Sequence, residues 1–171
     1  MSRHVARHPN TPAVFKIRFA LAAALAMLTA SEAATAARCR PINGHFTEQA
    51  FIEGCQSPVG LCLAGTLSGA VTGTFVTTGT ESIPTGDTPA TGVVHFTADT
   101  VVHARLGKLA GDIAIKNAGV NRIQATGEII DLQTIVGGTG NFIGASGSIQ
   151  TFGTFVEGVG RSEYSGTVCL P

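Results

Sequence analysis

Beyond residue 36 the chain lacks most of the patterns that would name a chemistry. It has no Gly-x-Ser-x-Gly elbow, no Gly-x-x-x-x-Gly-Lys phosphate loop and no His-Glu-x-x-His pair, which removes the commonest hydrolase, nucleotide and metallopeptidase signatures. Glycine patterns such as Gly65-x-Leu67-x-Gly69 lie inside strand-like runs and are not nucleotide fingerprints. Charge is scarce, with Asp, Glu, Lys and Arg making up 13% of 171 residues. Of 11 basic and 11 acidic residues, four basic ones and Glu32 fall in 1–36, leaving seven basic, ten acidic and a net charge of −3. No basic stripe is left to track a phosphate backbone, so no nucleic-acid partner is expected. No later run is apolar enough to span a bilayer. There is also no Cys-x-x-Cys and no histidine pair at ligand spacing, so neither a metal nor another cofactor is expected.

What the front of the chain does have is a targeting pattern. Arg3, Arg7, Lys16 and Arg18 precede an apolar run from Phe19 to Ala30, and Ala34-Thr35-Ala36 supplies small residues at a cleavage site. This reads as a signal peptide over 1–36, cleaved after Ala36 or Ala37, because the apolar run is too short for a membrane anchor. All four cysteines, Cys39, Cys55, Cys62 and Cys169, lie beyond it. An even number in an exported chain of this size implies two disulfides and a secreted or periplasmic address, with three pairings open.

Residues 37–61 read as an irregular, disulfide-tied segment punctuated by Pro41, Asn43-Gly44, Gly54 and Ser57-Pro58. Its Phe46, Phe51 and Ile52 suit a plug at one end of a sheet, and a short helical turn fits Thr47 to Ile52. From residue 62 to 171 the pattern is β. Leu61, Leu63, Gly65, Leu67, Gly69, Val71, Gly73 and Phe75 share a parity, with a break near Ser68 to Ala70. Thr80 to Pro89 reads as a loop and Thr91 to Ala104 as a long strand. Leu106-Gly107-Lys108 turns into the alternation Leu109, Gly111, Ile113, Ile115, and Asn117-Ala118-Gly119 reads as the next turn. Ile123 to Val136 changes parity at Ile129-Ile130, which predicts a β-bulge there. Gly158-Val159-Gly160 turns into a closing strand, Arg161 to Cys169. About eight strands without a long helix predict an all-β sandwich or barrel. The 22 glycines, without repetition or proline enrichment, point to tight turns and close strands.

The most organised stretch is Gly137-Gly138-Thr139-Gly140-Asn141-Phe142, followed by the alternation Ile143, Ala145, Gly147, Ile149, Thr151. Three glycines in four residues allow positive φ, and Phe142 offers one large anchor beside small inward residues. The run Ile135 to Gly147 resembles the hallmark stretch of dirigent proteins and allene oxide cyclases. Over roughly 55–171 the chain resembles bacterial secreted proteins with an allene-oxide-cyclase-like domain. Their Cys-x-Ser-Pro-Val-Gly-x-Cys and Gly-Thr-x-Cys segments are matched by Cys55 to Cys62 and Gly166 to Cys169. The resemblance implies a calycin-type, antiparallel eight-stranded barrel with an internal cavity. No catalytic residue of either plant family is matched here. In such an up-and-down barrel the first and last strands are neighbours. With the first strand beginning at Cys62 and the last ending at Cys169, closure predicts Cys62–Cys169 and Cys39–Cys55; the rival is Cys55–Cys62 with Cys39–Cys169.

Several polar side chains invite chemistry. His95, Asp99 and His103 share a parity, but four strand residues span about 13 Å, too far for one metal ion. The opposite parity, Val94, Phe96, Ala98, Thr100 and Val102, suits the interior, which turns the histidines and Asp99 outward. Glu128 and Asp131 fall on the outer side of the bulged reading with Lys108, Asp112 and Lys116; a carboxylate pair for acid–base work would need both inside. Tyr164, the single tyrosine, reads as interior, either as a core residue with one hydrogen bond or as a ligand-orienting group. The expected interior set is apolar, and Phe75, Phe96, Ile113, Ile149 and Tyr164 are the candidates to touch a small apolar ligand. The first expectation is therefore a secreted ligand-binding barrel. The others are a cyclase or isomerase that acts by substrate positioning, or a structural or interaction protein with a filled barrel. A cavity of about 300 Å³ or more suits the first two; a filled interior suits the third.

Overall fold

Alternation of small or apolar residues with polar ones recurs in stretches between Arg38 and Leu170, and the chain answers it with eight strands. The computed structural model describes residues 37–123 and 126–171, so the stretch read as a signal peptide lies outside them. The strands are β1 (Arg38–Phe51), β2 (Cys62–Gly69), β3 (Thr72–Pro84), β4 (Val93–Leu106), β5 (Leu109–Arg122), β6 (Glu128–Gly138), β7 (Ser146–Val156) and β8 (Val159–Leu170). One turn of helix, Thr88–Thr91, lies between β3 and β4. Each strand runs antiparallel to its neighbours, and β8 pairs with β1 to close the barrel. This is the all-β, eight-stranded antiparallel barrel expected above. Closure leaves no free sheet edge.

The 37–61 segment is not irregular as a whole: residues 38–51 form β1, paired on both sides. The glycine read as punctuation is a close approach instead. A Cβ at Gly44 would sit 2.6 Å from the Tyr164 hydroxyl, so only glycine lets the tyrosine cross beneath β1. The helical turn at Thr47 to Ile52 does not form, because Thr47–Phe51 pair with β2. The same reasoning removes the turn read at Asn117-Ala118-Gly119. There β5 runs straight on, and a Cβ at Gly119 would meet the Phe96 ring at 2.6 Å. In both places glycine lodges a ring against a strand rather than bending the chain. The loop read from Thr80 starts later, since β3 reaches Pro84 after a register shift between Gly79 and Glu81.

The Gly-rich stretch closes one end of the interior. Gly140–Phe142 form a single 3₁₀ turn, with the Phe142 N–H donating to Thr139 O at 2.9 Å. Gly140 has φ +57° and packs against the β4–β5 end, where a Cβ would meet Ala110 O at 2.7 Å. Thr139 Oγ1 and Asn141 Oδ1 accept from the backbone N–H groups of Asp112 and Ala110. The turn thus folds across the barrel floor and leaves Phe142 with no exposed surface.

Disulfides Cys39–Cys169 and Cys55–Cys62 correct the expected pairing. The closure argument itself holds, because the first and last strands are bridged at register partners. The error was in taking Cys62 for the start of the first strand, which follows from reading β1 as irregular. The seam bridge closes 130 residues, worth about 5 kcal/mol on the chain-entropy model. Among the described residues no helix is long and apolar enough to cross a membrane.

Candidate functional site in the barrel interior

The inward faces of the strands meet in one cavity, whose volume open to the centre of a water molecule is about 70 Å³. All five expected ligand-contacting residues, Phe75, Phe96, Ile113, Ile149 and Tyr164, line it. Phe46 joins Phe75 in an edge-to-face pair with ring centroids 5.6 Å apart. The cavity falls between the two expectations. It is not filled, yet on this measure it is smaller than sites that enclose drug-sized molecules, so an occupant has to be slim.

Tyr164 brings no free hydroxyl to the cavity. Its O–H donates to Val71 O at 3.1 Å and accepts from Val71 N–H at 3.0 Å, pinning the β2–β3 turn to β8. Burial pushes the phenol above its ordinary range, against the Val71 contact. It is the core tyrosine of the first alternative, with two backbone partners rather than one.

The polar part of the cavity is what the sequence reading missed. Glu48, Thr77, Thr100, Asn117, Asp131 and Gln133 all face inward from β1, β3, β4, β5 and β6. Asp131 is therefore corrected from the outer side to the inner. No bulge occurs at Ile129-Ile130: β6 pairs with β7 without a break from Glu128 to Ile135. The register shift lies further on, opposite Ala114 and Ile115. On β6 the apolar residues Ile130, Leu132 and Val136 face solvent, whereas Asp131 and Gln133 face in. Glu128 and its neighbour Arg122 sit near the rim, 3.4 Å apart.

The layer is tied together by few hydrogen bonds. Thr77 and Thr100, directly opposite each other, share one at 2.6 Å. Asn117 Nδ2 and Gln133 Nε2 each donate to Asp131 Oδ2 at 3.0 Å. Glu48 lies between glycines, with Gly65 on β2 and Gly160 on β8 as its register partners. A Cβ at Gly160 would come within 2.5 Å of Glu48 Oε1, so that glycine makes room for the carboxylate. Burial raises the Glu48 carboxyl from its ordinary 4.5 to about 7, and the charge of Asp131 adds to the rise. Asp131 is raised as well, by burial, against the hydrogen bonds from Gln133, Asn117 and the Ala118 backbone. Two buried carboxyls that feel each other titrate as a pair. Near neutrality the site holds a proton that can be exchanged within a largely apolar cavity.

The outward cluster behaves as expected. His95 and His103 are exposed. Asp99 Oδ1 lies 2.7 Å from Lys116 Nζ, and His103 Nδ1 lies 2.5 Å from Asp112 Oδ1. The His103 contact holds the Asp112 carboxyl below its usual range. Among the described residues no three His, Cys, Asp or Glu side chains gather as metal ligands.

No protein-family profile matches the chain, and no curated protein matches it in sequence.

Proposed function

We propose that this chain is a secreted or periplasmic barrel protein of the allene-oxide-cyclase-like kind, whose interior binds a slim small molecule with an apolar body. The address rests on the leader pattern and on two disulfides. The function rests on one observation, the retained cavity with an apolar lower half and a polar layer across it. A barrel with a purely structural role would gain stability by replacing buried carboxyls with aliphatic residues; keeping them argues for an occupant. A second reading, a cyclase or isomerase, is favoured by Glu48. Its proton near pH 7, beside a cavity that orders a substrate, would add proton transfer to positioning.

A series from 1-butanol to 1-octanol tests binding with neutral probes. Methyl resonances of Ile113 and Ile149 should shift saturably, with affinity rising about fourfold per methylene until the cavity is full. If no alcohol of any length gives a saturable shift confined to cavity methyls, the binding reading is overturned.

A further inference from the structure

The polar layer carries an imbalance between acceptors and donors. The Asn117 and Gln133 amides both spend a donor on the same oxygen, Asp131 Oδ2. That leaves Asn117 Oδ1 without a partner and Asp131 Oδ1 without a side-chain donor among the described residues, the Ala118 backbone being the remaining group that favours this carboxylate. Both residues are more than nine-tenths buried, at 5% and 8% exposure, and both face the cavity. The orientation of Asn117 is fixed by its neighbour, because turning the amide over would set its oxygen against a carboxylate. Glu48, at 8% exposure, adds a carboxyl with no hydrogen bond to offset its burial. Thr77 and Thr100 are engaged with each other. The layer therefore offers more acceptor than donor capacity: among the described residues no side-chain donor reaches the Glu48 carboxyl, Asp131 Oδ1 or Asn117 Oδ1. Unmet buried acceptors are costly, and what meets them must bring donors.

Resting on the reading of the barrel as a binding site, we infer that the ligand's polar end is a primary ammonium group, seated among Glu48, Asp131 and Asn117 with its alkyl body along the apolar half. A primary ammonium carries three N–H donors and a positive charge, which answers three acceptor groups carrying a negative charge. A hydroxyl supplies one donor and no charge. A carboxylate head would be repelled by the pair. A hard metal ion favours several anionic oxygens, whereas the layer holds two carboxyls, one of them facing the Asn117 and Gln133 N–H groups, and no three His, Cys, Asp or Glu side chains gather among the described residues. The apolar side chains below the layer, Ile113, Ile149 and Phe75, provide the contact surface for a short alkyl chain.

Binding is linked to protonation. Among the cavity-lining residues the titratable groups are Glu48 on β1, Asp131 on β6 and Tyr164 on β8; β2, β3, β4, β5 and β7 present none. Tyr164 is held by Val71. An arriving ammonium therefore displaces part of the proton that the buried carboxyl pair retains near neutrality.

The test compares n-hexylamine, 1-hexanol and hexanoate on the full mature protein by calorimetry at pH 7.5, in two buffers of different ionisation enthalpy. The amine should bind at least tenfold more tightly than the alcohol and release a fraction of a proton; hexanoate should give no signal. Glu48→Gln and Asp131→Asn keep shape while removing charge, and each should erase most of the amine's advantage while hexanol binding persists. Hexanol binding with no gain for the amine overturns this inference and leaves the barrel-binding reading standing. Silence from all three overturns both. An amine preference that survives in both variants places the head elsewhere, and saturable binding of Ca²⁺ alone at the layer assigns it to a metal; either result overturns the inference.

Discussion

At the end of the barrel where β1 starts and β8 finishes, Phe142 and Val168 have no exposed surface, and the Cys39–Cys169 bridge staples the closing seam. Further along the barrel, Glu48, Asn117 and Asp131 are buried and face the cavity. The floor is made of side chains that gain by leaving water, about 25 cal/mol per Å² of apolar surface. The layer is made of groups that lose by it unless paired, and they are only partly paired. One set of strands therefore carries two opposite contributions. The floor stabilises the barrel enough for the layer to remain poised for something else.

Removing the floor should have the largest effect. Phe142→Ala deletes a fully enclosed ring and leaves a void that the closed barrel cannot easily collapse. A loss of roughly 3–5 kcal/mol is expected, read as a shift in urea midpoint with unchanged slope. An unchanged midpoint would mean that the Gly-rich turn does not seal the interior, and the contrast between floor and layer would fail with it.

The layer should act in the opposite direction and depend on pH. An unfolded chain releases the Glu48 proton near its ordinary 4.5, whereas the folded barrel holds it up to about 7. Between those values the unfolded state binds fewer protons, so stability falls as pH rises and then levels off above the folded value. The ionised carboxyl costs on the order of 3 kcal/mol above pH 7. Glu48→Gln should accordingly be more stable than the parent at pH 8, equal to it near pH 4, and flatter between. A parent whose stability rises through this window, with the variant following it, would show that Glu48 is solvated and the layer open to water.

How much of this was legible in the sequence follows the same division. The floor and the apolar cavity wall obey the rule that inward residues are apolar. Phe75, Phe96, Ile113 and Ile149 could thus be placed from alternation, and Phe142 as the one large anchor of the Gly-rich turn; Ile143, which alternation also turns inward, is exposed instead. The layer breaks that rule. Asp131 reads as outward because Ile130, Leu132 and Val136 share the opposite parity, and a bulge is invoked to keep the isoleucines in. Glu48 was hidden in a segment whose Asn43-Gly44 resembles a turn, although Ile42, Gly44, Phe46 and Glu48 share one parity with β1's buried side. That parity, with Asp131-x-Gln133-x-Ile135, was the available signal. Reading it required allowing carboxylates inside a barrel, which propensity argues against. The disulfide error has the same source, since it depended on where the first strand begins.

The finest version of the contrast lies in two adjacent residues of β5. Lys116 points outward to Asp99, with both side chains about half exposed. Asn117 points inward to Asp131. In water the exposed ion pair is screened and its side chains lose rotamer freedom on pairing, so Lys116→Ala should cost only about 0–1 kcal/mol, and less at high salt. Asn117→Val removes one of two side-chain donors from a buried carboxyl, which should cost about 1–3 kcal/mol at pH 8. That cost should shrink in acid, because a protonated Asp131 no longer needs every donor. Thermal melts of the two variants at pH 5 and pH 8 decide the matter. Equal and pH-independent losses at 116 and 117 would mean that the inner and outer faces of β5 share one dielectric environment, and the polar layer would then have no special electrostatics with which to hold a cation.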